Sequence, residues 1–389
     1  MPVFCRGSLA SRYLSVLILI SEDGRVGADK LAFAIAKGLK QKGHRVIWGC
    51  PSDCILIPEA RNAGLEIYCV DWSGNMDMRP LINFMRFCRA EKIEIVNVHQ
   101  SHGRHLLEAA KLMGLKAKAV FTRHCITNPA PLVGGLFSNL VLDMTITVSE
   151  VIRKGLLLSG VMPGNVTRIY GGIDIDHFGQ VPDEEIRRVR QQYAVPKVFT
   201  IGMVARFELH KSKKTDKPSL KRHEVLFRAL AGLEKDFILL LVGFGDRDNI
   251  MRLAQENELS EAKIIYCGFQ DDVAPFYKLM DLHVLPSVQE GLGLVVIEGM
   301  AAGVACIGAD SGGISEIISD GEDGYLFPPG DSRELNRRIR TLMEDKGLRD
   351  TFIAKGKEKV KSKFDIKNTV LETEKVFYSI INQGVVNLG

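Results

Sequence analysis

The chain has 389 residues, 46% of them hydrophobic and 25% charged, which excludes a disordered or fibrous protein and exceeds what one hydrophobic core supports, so two domains are expected. The formal net charge of +4 is uneven: residues 1–178 carry 21 Lys and Arg against 15 Asp and Glu, and residues 179–389 carry 30 against 32. No basic run is interleaved with aromatics as nucleic-acid binding would want, whereas a basic first half suits an anionic membrane surface or an acidic acceptor.

The first apolar run, Leu14–Ile20, is too short to span a bilayer and lacks a small-residue cleavage site, so it predicts a first strand. Strand-like runs then alternate with amphipathic helical stretches: Ala28–Lys42, Arg45–Gly49 followed by a loop, Ile67–Val70, Arg79–Lys92, Ile93–Val98, Leu106–Met113, Ala119–Arg123 and Thr145–Val148. Such alternation predicts a parallel sheet with helices on both faces. The Gly pair in residues 169–178 interrupts it, and a charged helix, Asp183–Tyr193, opens a second series running from Val198–Val204 to Ala305–Ile307. Two doubly wound domains with a cleft between them follow, with domain limits expected at 1–175 and 176–365. Thr369–Ile381 reads as a last helix within a terminal segment 366–389 that returns to the first domain. The polar stretch Leu209–Leu220 reads as an exposed loop. Eight cysteines without a Cys-x-x-Cys pair, among them Cys69, Cys267 and Cys306 in apolar runs, read as buried reduced thiols of a cytoplasmic protein.

The segment Leu285–Ala302, LPSVQEGLGLVVIEGMAA, carries the most chemistry. A strand ends near Pro286, a Gly-rich turn presents Glu290, and a helix beginning near Leu294 carries Glu298. The two carboxylates can accept hydroxyls, while the N–H groups of Gly291, Leu292 and Gly293 can meet a phosphate. Ile201–Phe207 delivers Arg206 to the same sheet edge, and Lys221, at the start of a helix over 221–230, can join it on a diphosphate. In the first half, Gly24-Arg25-Val26-Gly27 forms a turn into a helix N-terminus that can approach an anion, though it is not a Gly-x-Gly-x-x-Gly fingerprint. His99, His102 and His105 lack accompanying carboxylates or cysteines, which argues against metal. His124, at a strand's carboxyl end, is the better candidate for contacting substrate. Asp174-Ile175-Asp176 falls in the linker, where turn and helix-cap roles outweigh metal binding.

Together these segments resemble the family 4 retaining glycosyltransferases of the GT-B fold. EGLGLVVIE reproduces that family's Glu-x7-Glu signature, and LVGFGD (241–246), CGFQDDVAPFYKLMDLHVLPS (267–287), SGGISEIISDGEDGYLFPPGD (311–331) and FDIKNTVLETEKVFYSII (364–381) follow in family order. Looser echoes in the first half are GHRV (43–46), ITVSEVIRKGL (146–156) and IYGGID (169–174). The resemblance implies a nucleotide-diphosphate sugar donor, a UDP-sugar favoured, and a glycan or lipid-linked acceptor, with synthesis of lipopolysaccharide or another cell-surface glycan as the setting. It implies no metal and no cofactor, and a cytoplasmic enzyme, peripheral on the membrane. Glu298 would bind ribose hydroxyls, Glu290 the donor sugar, Arg206 and Lys221 the diphosphate. Phe269 would border the base, Gly27 would close over the phosphates, and His124 would lie near the donor sugar and acceptor hydroxyl. Two departures stand out: Gly171-Gly172 replaces the family's Asn-Gly, and Lys221-Arg222-His223 replaces Lys-Gly-His behind an insertion, which makes Lys211 a rival for the phosphate contact. Competing readings are another GT-B enzyme, such as a nucleotide-sugar epimerase or a phosphorylase, and a binding protein that kept the fold without catalysis.

Overall fold

A computed structural model describes residues 12–70, 78–126, 133–207 and 220–383. Seven strands form the first sheet: β1 (Ser15–Leu19), β2 (Arg45–Cys50), β3 (Glu66–Cys69), β4 (Ile95–Val98), β5 (Lys118–Arg123), β6 (Met144–Thr147) and β7 (Val166–Arg168), in the order β3-β2-β1-β4-β5-β6-β7. Six form the second: β8 (Phe199–Val204), β9 (Phe237–Val242), β10 (Ile264–Gly268), β11 (Leu282–Leu285), β12 (Ala305–Ala309) and β13 (Tyr325–Phe327), in the order β10-β9-β8-β11-β12-β13. All these pairings are parallel. The central strands explain why: Val16 to Leu19, and Leu239 to Val242, are apolar on both faces and fully buried, as strands covered by helices on each side must be.

Each sheet reverses its winding at one place, between β1 and β4 and between β8 and β11. At such a switch point the loops leaving two neighbouring strands diverge and open a crevice. The crevices are therefore bounded by residues after Leu19 and Val98 in one half, and after Val204 and Leu285 in the other.

The chain crosses between the halves twice. Ile173 donates to Phe364 and accepts from Ile366, both at 2.9 Å. The helix Ile366–Gln383 then lies along the helix Gly27–Gln41 of the first half, where Glu374 meets Lys42 at 2.8 Å and His44 at 2.9 Å.

Several local expectations need correction. The loop expected after β2 contains a helix, Ile57–Asn62, with Pro58 in its first turn where a missing N–H costs nothing. Cys69 is exposed, because it ends the edge strand β3, whereas Cys267 and Cys306 are buried. Lys211 and most of the Leu209–Leu220 loop lie outside the described residues.

Candidate active site

Glu290 follows β11 in a turn that ends at Gly293, whose φ of +99° at the helix N-cap is a left-handed conformation that suits glycine. Its carboxylate pairs with Lys221. Lys221 is brought there because Val288 donates to the Leu220 carbonyl at 2.9 Å, tying the start of the helix His223–Ala231 to the turn. Burial pushes the Glu290 carboxyl up, but Lys221, with Ser287 and Arg206 behind it, outweighs that cost and holds it below its usual range. Glu290 is therefore an anion at neutral pH. Arg206 is itself exposed, two residues past β8.

Glu298 occupies a different corner. It lies in the second turn of the helix Leu294–Ala302, and its Oε2 is 3.0 Å from the Tyr277 hydroxyl, whose single hydrogen is shared between that oxygen and the Val295 carbonyl at 2.9 Å. Burial raises the Glu298 carboxyl, opposed by Tyr277, Lys30 and His177. Lys30 belongs to the first half and donates to the Asp271 carbonyl at 3.0 Å, while His177 lies 2.9 Å from Asp272. One carboxylate thus stands beside a lysine with an arginine near, and the other among neutral and mixed partners. The first arrangement suits an anion's surroundings, and the second suits hydroxyl recognition.

The two halves meet at this turn. A Cβ added to Gly291 would lie 1.8 Å from the His124 carbonyl oxygen, so only glycine permits this approach. Leu292 is buried, and Gly27, at the first position of the helix Gly27–Gln41, has Leu294 as the neighbour a Cβ would meet, at 3.7 Å. Phe269, just past β10, is half-buried. The structure thus gathers His124, Gly27, Lys221, Glu290, Gly291 and Leu294 around one crevice, with Glu298 reached along the same helix.

Four participants escaped the sequence reading. His99 does not join His102 and His105, which are both exposed. Its Nδ1 is instead 3.0 Å from His124 Nε2 and the rings stack at 28°. Burial lowers both imidazoles, that of His124 to about 4, so both are neutral. His99 Nε2 is buried with no partner. An orphaned acceptor is tolerated better than an orphaned N–H, which favours His99 donating through Nδ1 and leaves the other His124 nitrogen, Nδ1, carrying a hydrogen. Asp29 is buried in the helix that starts at Gly27, where it accepts from Gly24 N–H at 3.1 Å and from the Gln100 amide. Burial, the dominant influence, raises it to about 7. Tyr277 and His177 complete the four. Nothing in the local pattern around any of them announces these long-range partners. Asp174, read as a linker residue, caps the helix Ile175–Gly179 by accepting from His177 N–H at 3.3 Å. Among the described residues no cluster of three His, Cys, Asp or Glu side chains is placed to hold a metal ion.

Two parallel doubly wound sheets with their carboxyl ends facing a shared crevice define a GT-B glycosyltransferase fold. The second half, residues 186–359, matches the family model for glycosyl transferases group 1, and residues 26–177 match that for glycosyltransferase family 4. The chain belongs to these glycosyltransferases, and it is an enzyme of that class. It is 28% identical over 303 residues to the N-acetyl-alpha-D-glucosaminyl L-malate synthase of Bacillus anthracis, covering 75% of this chain and 76% of the relative. It is 24% identical to a Campylobacter jejuni N-acetylgalactosaminyltransferase named for a diphospho-undecaprenol-linked substrate, over 72% of this chain and 75% of that one. Among solved structures, a glycosyltransferase from Rickettsia africae superposes with a TM-score of 0.83 at 21% identity, covering 95% of this chain and 99% of its own. Anabaena Alr3699/HepE, solved with UDP-glucose, gives 0.80 at 20% identity, over 94% and 100%. At these identities the structural likeness speaks for the fold.

Proposed function

We propose that this glycosyltransferase moves a sugar from a nucleotide-diphosphate sugar, a UDP-sugar in the first instance, to an acceptor hydroxyl with retention of anomeric configuration and without a metal. The observation that carries the reading is the separation of two glutamates into two environments: an ionised Glu290 paired with Lys221, and a Glu298 whose burial favours hydrogen bonding over charge.

Lys221 and Arg206 meet the diphosphate, and the N–H groups of Gly291, Leu292 and Gly293 at the helix N-terminus add to that field. Glu290 accepts hydroxyls of the donor sugar, Glu298 those of the ribose, and Phe269 borders the base. Gly27 brings the first-half helix close over the phosphates. His124, neutral, donates from Nδ1 to an oxygen at the reacting centre. In the transfer, the bond between the anomeric carbon and the diphosphate oxygen breaks and one from the acceptor oxygen forms on the same face; the acceptor proton passes to the departing diphosphate. Lys221 and Arg206 stabilise the charge that develops there, which is the task a metal would otherwise perform.

The relatives' names support a glycan or lipid-linked acceptor of the kind used in cell-surface glycan synthesis, including lipopolysaccharide. No helix among the described residues is long and apolar enough to cross a membrane; the basic first half suits peripheral attachment from the cytoplasmic side. The domain limits 1–175, 176–365 and 366–389 go with this reading.

A thermal-shift screen against UDP-, GDP- and ADP-sugars without added metal tests it, with Glu298→Ala as control. Stabilisation by UDP-sugars that the variant loses is the expected outcome. Stabilisation by another nucleotide class would overturn the UDP preference, and equal stabilisation of both proteins would overturn the site.

A further inference from the structure

The helix Glu150–Leu158 in the first half lacks a cap of its own. Ser149 occupies the N-cap position in extended backbone, yet its side chain makes no capping hydrogen bond and its hydroxyl is buried without a partner. The first N–H groups of a helix have no intrahelical acceptor, and the positive end of its dipole points at the same place. Both needs are met from the other half of the protein. Glu316 Oε2 accepts from Glu150 N–H at 2.8 Å and Oε1 accepts from Val151 N–H at 2.7 Å. One carboxylate therefore spans two orphan donors across the crevice.

The same glutamate is rigidly joined to the catalytic turn. It lies on the short helix Ile314–Ile317, directly after Gly312 and Gly313. Gly313 N–H donates to the Glu290 carbonyl at 2.9 Å, and a Cβ on Gly313 would lie 2.4 Å from Leu292 Cα. This leaves no slack between the helix bearing Glu316 and the turn 290–292. On the opposite side, the helix it caps contributes Ile152, whose Cδ1 is 3.4 Å from where a Gly291 Cβ would sit, next to the His124 carbonyl.

We infer that Glu316 is a positioning residue: its carboxylate latches the second half onto the N-terminus of the helix Glu150–Leu158 and so holds the Glu290–Gly293 turn against His124. It touches no reacting atom. Its energy is spent on closure, because the bonds span the two halves and are lost when the halves part, whereupon both donors and the carboxylate return to water. A ligand that contacts both halves gains affinity from a protein already closed. The inference rests on the donor reading above for its ligand, and on geometry alone for the latch.

The full-length chain and three variants test it: Glu316→Ala, Glu316→Gln and Glu150→Pro. Proline is tolerated at the first helical position, and Ser149, with ψ of 161°, already has the extended backbone that a residue before proline prefers, so Glu150→Pro keeps the helix, removes one donor, and sets its ring where the Glu316 carboxylate would sit. Small-angle scattering reads closure, and calorimetric titration with UDP reads affinity. We expect Glu316→Ala to expand the scattering envelope and weaken UDP binding about tenfold, the scale of losing charge-assisted hydrogen bonds. Glu316→Gln, which keeps one acceptor oxygen, should fall between, and Glu150→Pro should reproduce part of the loss. An unchanged envelope together with unchanged affinity in Glu316→Ala overturns the latch. Should UDP fail to bind the wild type, the donor reading falls, and scattering still decides: expansion in both Glu316→Ala and Glu150→Pro supports the latch, and its absence overturns it.

Discussion

His99 Nδ1 stands 3.0 Å from His124 Nε2, in a pair of stacked, neutral imidazoles at the carboxyl ends of neighbouring strands β4 and β5. Two neutral rings can share one hydrogen between them, and the partner that gives it fixes the other's tautomer. His99→Ala should therefore leave UDP affinity unchanged while lowering the rate of transfer roughly tenfold, since His124 loses the group that orients it. Steady-state kinetics with the best donor from the screen checks this. A variant with the wild-type rate would show that His124 needs no orientation from His99.

Four histidines whose burial lowers them set the acid side of the stability curve. Burial lowers His99 well below its usual value, His124 to about 4, and His223 and His283 to about 3. Each contributes stability that is present above the unfolded value near 6.5 and lost as pH falls toward the folded value, because the unfolded chain takes up protons that the native one refuses. Asp29, raised to about 7, works in the opposite sense: the native state keeps its proton between about 4 and 7 while the unfolded state releases it. Glu298 and His177, both raised, act in the same sense as Asp29, but the four histidines outnumber these three and leave a net loss on acidification, at about 1.4 kcal/mol per pH unit for each unbalanced proton. Urea midpoints should fall steeply between pH 6.5 and 4. Asp29→Asn removes an opposing gain and should steepen that fall; a midpoint independent of pH in this window would refute the account.

Tyr277 supports Glu298 from beneath, bridging it to the Val295 carbonyl. Tyr277→Phe keeps the ring and removes the one hydrogen that Glu298 and the Val295 carbonyl share, so thermal unfolding should report a loss of about 1–3 kcal/mol. UDP titration should weaken as well, because Glu298 becomes free to turn. Weaker folding with full UDP affinity would confine Tyr277 to the core.

Gly291 offers a test by overlap. An added methyl collides with the His124 carbonyl, which belongs to the other half. Relief is cheapest by parting the halves, so Gly291→Ala should abolish most transfer while shifting the melting temperature by only about 2–4 °C. Gly164→Ala is the control: nothing lies within 4 Å of its added methyl, and activity and melting should match the wild type. Loss of folding in Gly291→Ala would show that this contact holds more than the closed cleft.

Much of the architecture could be read from the chain because apolar runs and helical periodicity are local signals. Val16–Leu19 and Leu239–Val242 announce central parallel strands, and EGLGLVVIE places both glutamates by spacing alone. The site's remaining partners come from far away. Tyr277 reaches Glu298 only because the helix Ala274–Tyr277 lies against the helix Leu294–Ala302, and Glu316 meets Glu150 across 166 positions. Sequence proximity groups His99 with His102 and His105, whereas the strand end at Val98 turns it inward and leaves the other two on the solvent side of a helix. The helix Ile57–Asn62 leaves no such signal, because six residues carry too little periodicity.

The two crossings between the halves have a mechanical meaning. Gly172 and Asp365 run backbone against backbone, close enough that a Cβ on Gly172 would lie 2.7 Å from the Asp365 carbonyl carbon. One crossing alone would be a swivel, free to twist and slide. Two crossings joined side by side are built like adjacent knuckles of a door hinge: a movement of the halves would be held to one axis and would return the same residues to the same register.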